Sequence, residues 1–318
     1  MSDKSNLNGR AFEYACIIRF YNELRRLRKT EIIVNDCFRE AKREYLRTDE
    51  ETMINLEKSA ATAAAVLFDT EPLMTEDDKD TLYLYIQQDK KGEEGDVRDI
   101  VIKRDEIQWE IGLSVKHNHF AVKHSRLSPS IDFGEKWFGV KCSEEYWDDI
   151  KPVFEYLKEE EAKGTLFREL PDKSNDVYIP ILKAFVKEIK KSYEVDNLIV
   201  SRMVEYLLGK YDFYKVIAID SKRLSRIQSY NLKGTLNQKG RTKEPIIILP
   251  IAELPTELWH LDFKTGSDTT VEMGMNNGWQ FSFRIHNAEE YVKQTLKFDI
   301  QIVGMPTTII TIDRHWID

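Results

Sequence analysis

The sequence predicts a mixed α/β protein whose first half sets strands among helices and whose second half is largely β. Three observations carry this expectation. Apolar residues recur at three- and four-residue spacing through most of the first 70 positions, alternating patterns begin near residue 81, and from residue 211 the apolar runs are short and separated by turn-forming residues. At 318 residues the chain can form one large domain or two of ordinary size. The change of pattern near residue 165 divides it into 1–165 and 166–318, with no repeat, low-complexity stretch or proline-rich linker to mark the joint.

Residues 9–28 read as an amphipathic helix with Phe12, Cys16, Phe20, Leu24 and Leu27 on one stripe, Asn8 as its N-cap and arginines in its last turn. Glu13 borders that stripe, either as an acid favoured in a first helical turn or as a carboxylate aimed inward. Helical patterns follow at 31–46 and 49–67, then a strand at 81–88. Residues 95–116 read as two strands joined by a turn at 104–106: in the second, Trp109, Ile111, Leu113 and Val115 alternate with Glu110, Gly112, Ser114 and Lys116. A helix spans about 144–163, with Pro152 as its kink or its true start. Pro180 opens another helix to about 192, and a further one runs from 197 to 208, stopped by Gly209. Beyond 211 come strand-like runs at 214–219, 245–252, 258–263, 271–275, 278–286, 297–303 and 307–312, with Asn277-Gly278 as a hairpin signal.

Composition, 42% hydrophobic and 32% charged, is that of a globular rather than a disordered chain. No membrane span or apolar leader is visible, so the expected location is intracellular, in the cytoplasm, and three scattered cysteines fit reduced thiols. The net charge is −8, yet residues 111–131 and 221–243 together hold ten lysines and arginines and no acid. A basic groove on an acidic body suits a phosphate backbone.

An acid on one strand with a lysine on the next is the skeleton of a metal-dependent phosphodiester-cleaving site. Such chemistry needs oxygen ligands for a hard divalent cation and a group that stabilises charge or activates water. Asp99 is the first acid and Lys116 the lysine, with Ser114 one pleat away. Glu110 shares the polar face but stands four residues from Ser114, about 13 Å along a strand, too far to share a metal with Asp99. The second acid is left open: Glu13 could reach the site from the first helix, Glu135 is in reserve, and the Val115 carbonyl is a further expected Mg2+ ligand. His117-Asn118-His119 is not an HNH motif, whose residues spread over some thirty positions, and its two histidines lack partners at zinc-ligand spacing.

For contacts to double-stranded DNA, a loop from His117 to Arg126 offers Lys123, His124 and Arg126 to phosphates. In the later hairpin Trp279, Phe281, Phe283 and Ile285 alternate with Gln280, Ser282, Arg284 and His286, a core face backed by an acid-free polar row. Arg284, flanked by His286 and Asn287, is the candidate base reader, because arginine is the commonest bidentate partner of guanine.

GDVRDIVIK followed by LSVK resembles the PD-(D/E)XK nuclease signature, with Ser114 where its second acid would stand. NGRAFEYA (8–15), LSVKHNHFAVKHSRLS (113–128), YLLGKYDFYKV (206–216), NGWQFSFRIHNA (277–288) and LKFDIQIVGMP (296–306) together resemble the HaeIII family of type II restriction endonucleases. The resemblance implies a PD-(D/E)XK-like restriction endonuclease core, a mixed sheet flanked by helices, with a largely β C-terminal recognition region. It implies Mg2+-dependent cleavage of double-stranded DNA at GGCC between the central G and C. A palindromic target suggests a homodimer, and the cell would need a cognate DNA methyltransferase. The alternatives are a structure-specific repair or resolvase nuclease on the same core and a non-cleaving DNA-binding protein.

Overall fold

The structure, a computed structural model, describes residues 2–88, 95–287 and 289–317; the side chains of residues 2–6, 123 and 124 lie outside that set. The chain forms two compact units, Met1–Phe120 with Gly209–Ala252 and Thr307–Asp318, and Ala121–Leu208 with Glu253–Pro306. The joint expected near residue 165 falls inside the second unit. The reason is strand pairing at long sequence separation, which composition does not register.

In the first unit a seven-stranded sheet runs in the order β1 (Thr30–Ile32), β2 (Leu82–Ile86), β3 (Ile100–Arg104), β4 (Trp109–His117), β6 (Phe213–Ile219), β7 (Leu224–Tyr230), β12 (Thr311–His315). The β1–β2 and β4–β6 pairs are parallel and the rest antiparallel, so the sheet is mixed. Helices α1 (Ser2–Leu24), α2 (Asp36–Arg47), α3 (Glu50–Thr70) and the single turn α4 (Pro72–Thr75) accompany it. Their stripes meet the sheet in one core: Phe12, Cys16 and Phe20 of α1, the alanines 60, 63 and 64 of α3, and the alternate strand residues Leu84, Ile102, Ile111, Leu113 and Val216. Small residues on α3 let its backbone come close to the sheet. Asn35 and Asp49 cap α2 and α3 through side-chain bonds to the Phe38 and Thr52 amides.

Three expectations for this unit are corrected. Helix α1 begins well before Asn8, which is therefore not its cap, and it ends at Leu24, leaving Leu27 exposed and Arg28 buried. Arg28 turns inward to pair with Asp80 at 2.6 Å. Residues 245–252, though rich in isoleucine, join no sheet; Ile246 and Ile248 are exposed while Asn237 bonds the backbone of Ile247 and Leu249.

The second unit holds a five-stranded antiparallel sheet in the order β5 (Lys123–Leu127), β11 (Leu296–Gly304), β10 (Gln280–Asn287), β9 (Thr270–Met275), β8 (Leu258–Phe263). Its helices are α5 (Phe133–Phe138), α6 (Glu144–Ala162), α7 (Ile179–Val195) and α8 (Ile199–Leu208). Phe283 and Phe298 from the sheet pack tilted against Phe185, and Trp137 takes Phe298 edge-on while stacking on Phe283 and Tyr206. Pro152 sits inside a continuous α6, and Pro180 lies in the first turn of α7 as its missing N–H allows. The β9–β10 turn places Asn277 and Gly278 both at positive φ, the geometry an Asn-Gly pair tolerates best. Among the described residues no helix is long and apolar enough to cross a membrane.

Candidate active site

The β3–β4 hairpin closes through a single 3-10 turn, Asp105–Ile107, with Gln108 left-handed. Its register pairs Ile100 with Leu113, and the Asp99 amide donates to the Leu113 carbonyl at 2.8 Å. That register brings Asp99 against the end of β4. Asp99 Oδ2 accepts three bonds from consecutive residues: the Ser114 hydroxyl at 3.2 Å, the Val115 amide at 2.7 Å and the Lys116 ammonium at 3.0 Å. All three converge on one oxygen.

Glu13 is brought to the same place by α1, which packs on β4. It is buried, and burial first, then the charge of Asp99, pushes its carboxyl up to about 8, with Arg10 working against the rise. A buried carboxyl whose proton affinity is raised by a second carboxylate beside it marks a site that a cation would stabilise. The donor set therefore fits a hard divalent ion. Burial opposes the charge of Lys116, but Asp99 and Glu13 outweigh it and its pKa is raised. The described residues contain no cluster of three or more His, Cys, Asp or Glu that could hold a metal, so further oxygens must come from backbone or water.

Glu110 is held elsewhere. Arg98 grips Asp96 with two nitrogens, both at 2.8 Å, and reaches Glu110 at 2.8 Å. The Arg98 stem runs directly over Gly112, where any Cβ would lie 1.9 Å from its Cδ. Glycine at 112 is what lets arginine stand between Glu110 and Ser114. Glu135 belongs to α5 in the second unit, within 3.9 Å of Lys141. His117 pairs with Asp220 at 2.7 Å and Asn118 accepts from the Asp220 amide, so these two letters of the His-Asn-His run fasten the β4 end to the β6–β7 turn.

Sequence reasoning missed Lys215. It pairs in register with Ser114 on the parallel neighbour β6 and is only 4% exposed. Its ammonium donates to the Phe120 carbonyl at 2.8 Å. Burial and the charge of Lys116 lower its pKa to about 7. A lysine in an otherwise apolar strand was the available signal.

The DNA-contact candidates lie in the second unit. Residues 123–127 are the edge strand β5 rather than a loop; KHSRL lacks apolar alternation, and its pairing to β11 makes the strand. Lys123 and His124 are fixed by register opposite Ile300 and Asp299, and their side chains are outside the described set. Arg126, Lys297 and His286 stand in one row across β5, β11 and β10. On β10 the predicted alternation is present: Trp279, Phe281, Phe283 and Ile285 are buried, while Gln280, Ser282, Arg284 and His286 face the other way. Arg284 is 61% exposed at its side chain. The face is not free of acids once neighbours are counted, since Asp299 lies 3.8 Å from Arg284 and Glu272 pairs with Ser282. His286 and Asn287 bond to the local backbone at Asn287 and Glu289.

The sequence-family description "HaeIII restriction endonuclease" matches residues 9–306. The chain is 48% identical over 324 aligned positions to the type II restriction enzyme HaeIII of Haemophilus aegyptius, with 99% of each chain covered. No solved structure shows a significant match.

Proposed function

The chain belongs to the HaeIII restriction endonuclease family and is a type II site-specific endonuclease, and from that premise we propose that it cuts double-stranded DNA at GGCC, between the central G and C, with Mg2+. Family membership sets aside the branched-DNA nuclease and the non-cleaving binder. The observation that carries the chemical reading is the convergence of Ser114, Val115 and Lys116 on Asp99 Oδ2 beside a buried Glu13.

Asp99, Glu13 and the Val115 carbonyl would hold the Mg2+. When bound, the ion supplies Lewis-acid stabilisation of charge developing on the phosphoryl oxygens. Ser114 and the Val115 amide hold the Asp99 carboxylate in one orientation. Lys116 acts as a fixed positive charge rather than as a base, because the neighbouring carboxylates keep its ammonium protonated. The second unit, with Arg126 and the β10 row of Gln280, Arg284, His286 and Asn287, supplies recognition, Arg284 reading guanine. In this proposal catalysis belongs to the mixed, PD-(D/E)XK-like sheet and readout to the all-antiparallel one.

A palindromic site cut on both strands favours a homodimer with two-fold symmetry. A methyltransferase acting on the same sequence would protect the host, and both would work in the bacterial cytoplasm. The test is digestion of a plasmid of known sequence with and without chelator. Discrete Mg2+-dependent fragments ending at GGCC are expected; fragments ending at another sequence, or cutting in chelator, would overturn the assignment.

A further inference from the structure

The antiparallel sheet carries a cation that the reading above leaves unused, Lys297. It lies directly opposite Arg126 of β5 on one side and His286 of β10 on the other. The neighbouring row, Ser125, Phe298 and Ile285, is buried, so alternation puts Arg126 and Lys297 on the outer face, Arg126 exposed and Lys297 half-buried. Among the described residues neither side chain makes a hydrogen bond or ion pair with any other. Asp299, on the same face of β11, turns instead to Gln301 at 3.3 Å and Arg284 at 3.8 Å. Like charges set directly opposite across two strands, with Cβ atoms about 5 Å apart, weaken a sheet. A sheet that keeps such a pair with no acid between bears a local cost that an anion would relieve.

Resting on the reading that this face meets the duplex, we propose that Arg126 and Lys297 hold the phosphate backbone at the wall of the major groove while Arg284, one row further along the sheet, reaches the bases. The spacing suits both tasks. Two residues along a strand span about 7 Å, close to half of a major groove about 12 Å wide. The step from Lys297 to the row of Asp299 and Arg284 thus matches the step from a groove wall to its floor. Arginine grips two phosphate oxygens in its planar fork and lysine adds a point charge, and such contacts fix the register of the protein on the duplex without reading sequence. Guarding a sheet edge against pairing with other chains is the competing account of these charges. It suits Arg126, because β5 is an edge strand, but not Lys297, because β11 has β5 on one side and β10 on the other.

The two accounts differ in the salt dependence of DNA binding. The experiment measures affinity of the full chain in Ca2+ for a GGCC duplex and for an equally long duplex without GGCC, between about 50 and 200 mM KCl. Arg126→Gln and Lys297→Gln are each expected to weaken binding to both duplexes alike, on the order of tenfold near 0.1 M salt, and to reduce the slope of log affinity against log salt by about 1, the double variant by about 2. Lys297→Arg should keep the original slope. No variant should lose stability in urea, because a repulsion has been removed. An unchanged slope in the double variant overturns the proposal. A loss confined to the GGCC duplex does so too, since the pair would then be reading bases, as does weaker binding with an unchanged slope and a lower urea midpoint, which would make the pair structural. Should the double variant fail to fold, Lys297→Gln alone decides by the same slope. Arg284→Ala shows which layer has failed. If it leaves base preference intact and the double variant binds as the original does, this face does not meet DNA; if it loses preference at G while the double variant binds normally, only the phosphate role falls.

Discussion

Lys116 Nζ lies 3.0 Å from the same Asp99 oxygen that takes the Val115 amide at 2.7 Å. The carboxylate is thus held by backbone and the ammonium by the carboxylate, an order of dependence that makes Asp99 the anchor of the pair. Asp99→Ala and Lys116→Ala should each slow cleavage by about 10²- to 10³-fold or more while DNA affinity measured in Ca2+ stays within a few-fold. Single-turnover rates and gel shifts on a GGCC duplex check this, and near-normal cutting by either variant would remove the site from the β3–β4 hairpin.

Ser114 makes the longest of the three bonds to Asp99, 3.2 Å, and its place in the sheet is secured by pairing with Lys215. A hydroxyl that only helps orient a carboxylate already held twice should matter little. Ser114→Ala is expected to cost about tenfold in rate or less. A loss as deep as that of Asp99→Ala would mean instead that the hydroxyl touches the reacting groups.

Arg104 is wholly buried at the end of β3, with Nε and Nη2 on Asp80 at 2.7 and 2.8 Å and Nη1 on the Leu73 carbonyl at 2.9 Å. Arg28 completes the cluster from the other side of Asp80. Arg104→Leu would leave Asp80 short of a partner in the interior, and a broken buried pair typically costs about 3–5 kcal/mol. Urea denaturation should show that loss with cleavage at low temperature retained; a cost below about 1 kcal/mol would mean that water repairs the cluster.

Much of the β3–β4 hairpin that carries the candidate site was legible because its determinants are local: period-two alternation fixed which residues share a face, and strand rise set Glu110 apart from Ser114. What escaped was everything that depends on distant pairing. β6 reads as an apolar run with a stray lysine, and only its parallel register with β4 puts Lys215 beside Ser114. β5 has no apolar alternation and becomes a strand because β11 offers it an edge. The isoleucines at 246–248 have the composition of a strand, yet Asn237 and the buried acid Glu71 pin the surrounding segment in another shape. Side-chain capping of backbone by a residue 166 positions away leaves no periodic trace.

Glu71 is also the clearest source of pH dependence away from the catalytic groups. Its Oε1 accepts the Tyr214 hydroxyl at 2.5 Å and the Asn237 amide at 2.7 Å, while Oε2 is buried with no partner among the described residues. Burial pushes its carboxyl up to about 7, with both hydrogen bonds opposing. Because the folded value lies above the unfolded one, the native state favours the protonated form. That contribution is complete below about pH 4.5 and is lost as pH rises through about 7. Glu71→Gln, which keeps an acceptor and carries no charge, should flatten this fall and gain roughly 2–3 kcal/mol relative to the original protein at pH 8. Denaturation at pH 5 and pH 8 measures it; parallel losses in both proteins would assign the slope to other groups.

Arg284 stands on β10 between Thr270 and Asp299 of the flanking strands, and Asp299 is 3.8 Å away, too long for a good hydrogen bond. Two roles compete for it: neutralising Asp299, whose Oδ1 is buried with no partner among the described residues, or reading guanine. They separate by what a substitution changes. If Arg284 reads a base, Arg284→Ala should cost about 1–3 kcal/mol of discrimination against duplexes altered at one G position and much less on duplexes altered elsewhere. If it serves Asp299, the variant should lose stability, and Asp299→Asn should restore it without touching preference. Competition binding in Ca2+ across single-base variants of GGCC gives the pattern directly. A uniform loss over all sequences would mark Arg284 as a phosphate contact and move base readout to other positions of the sheet.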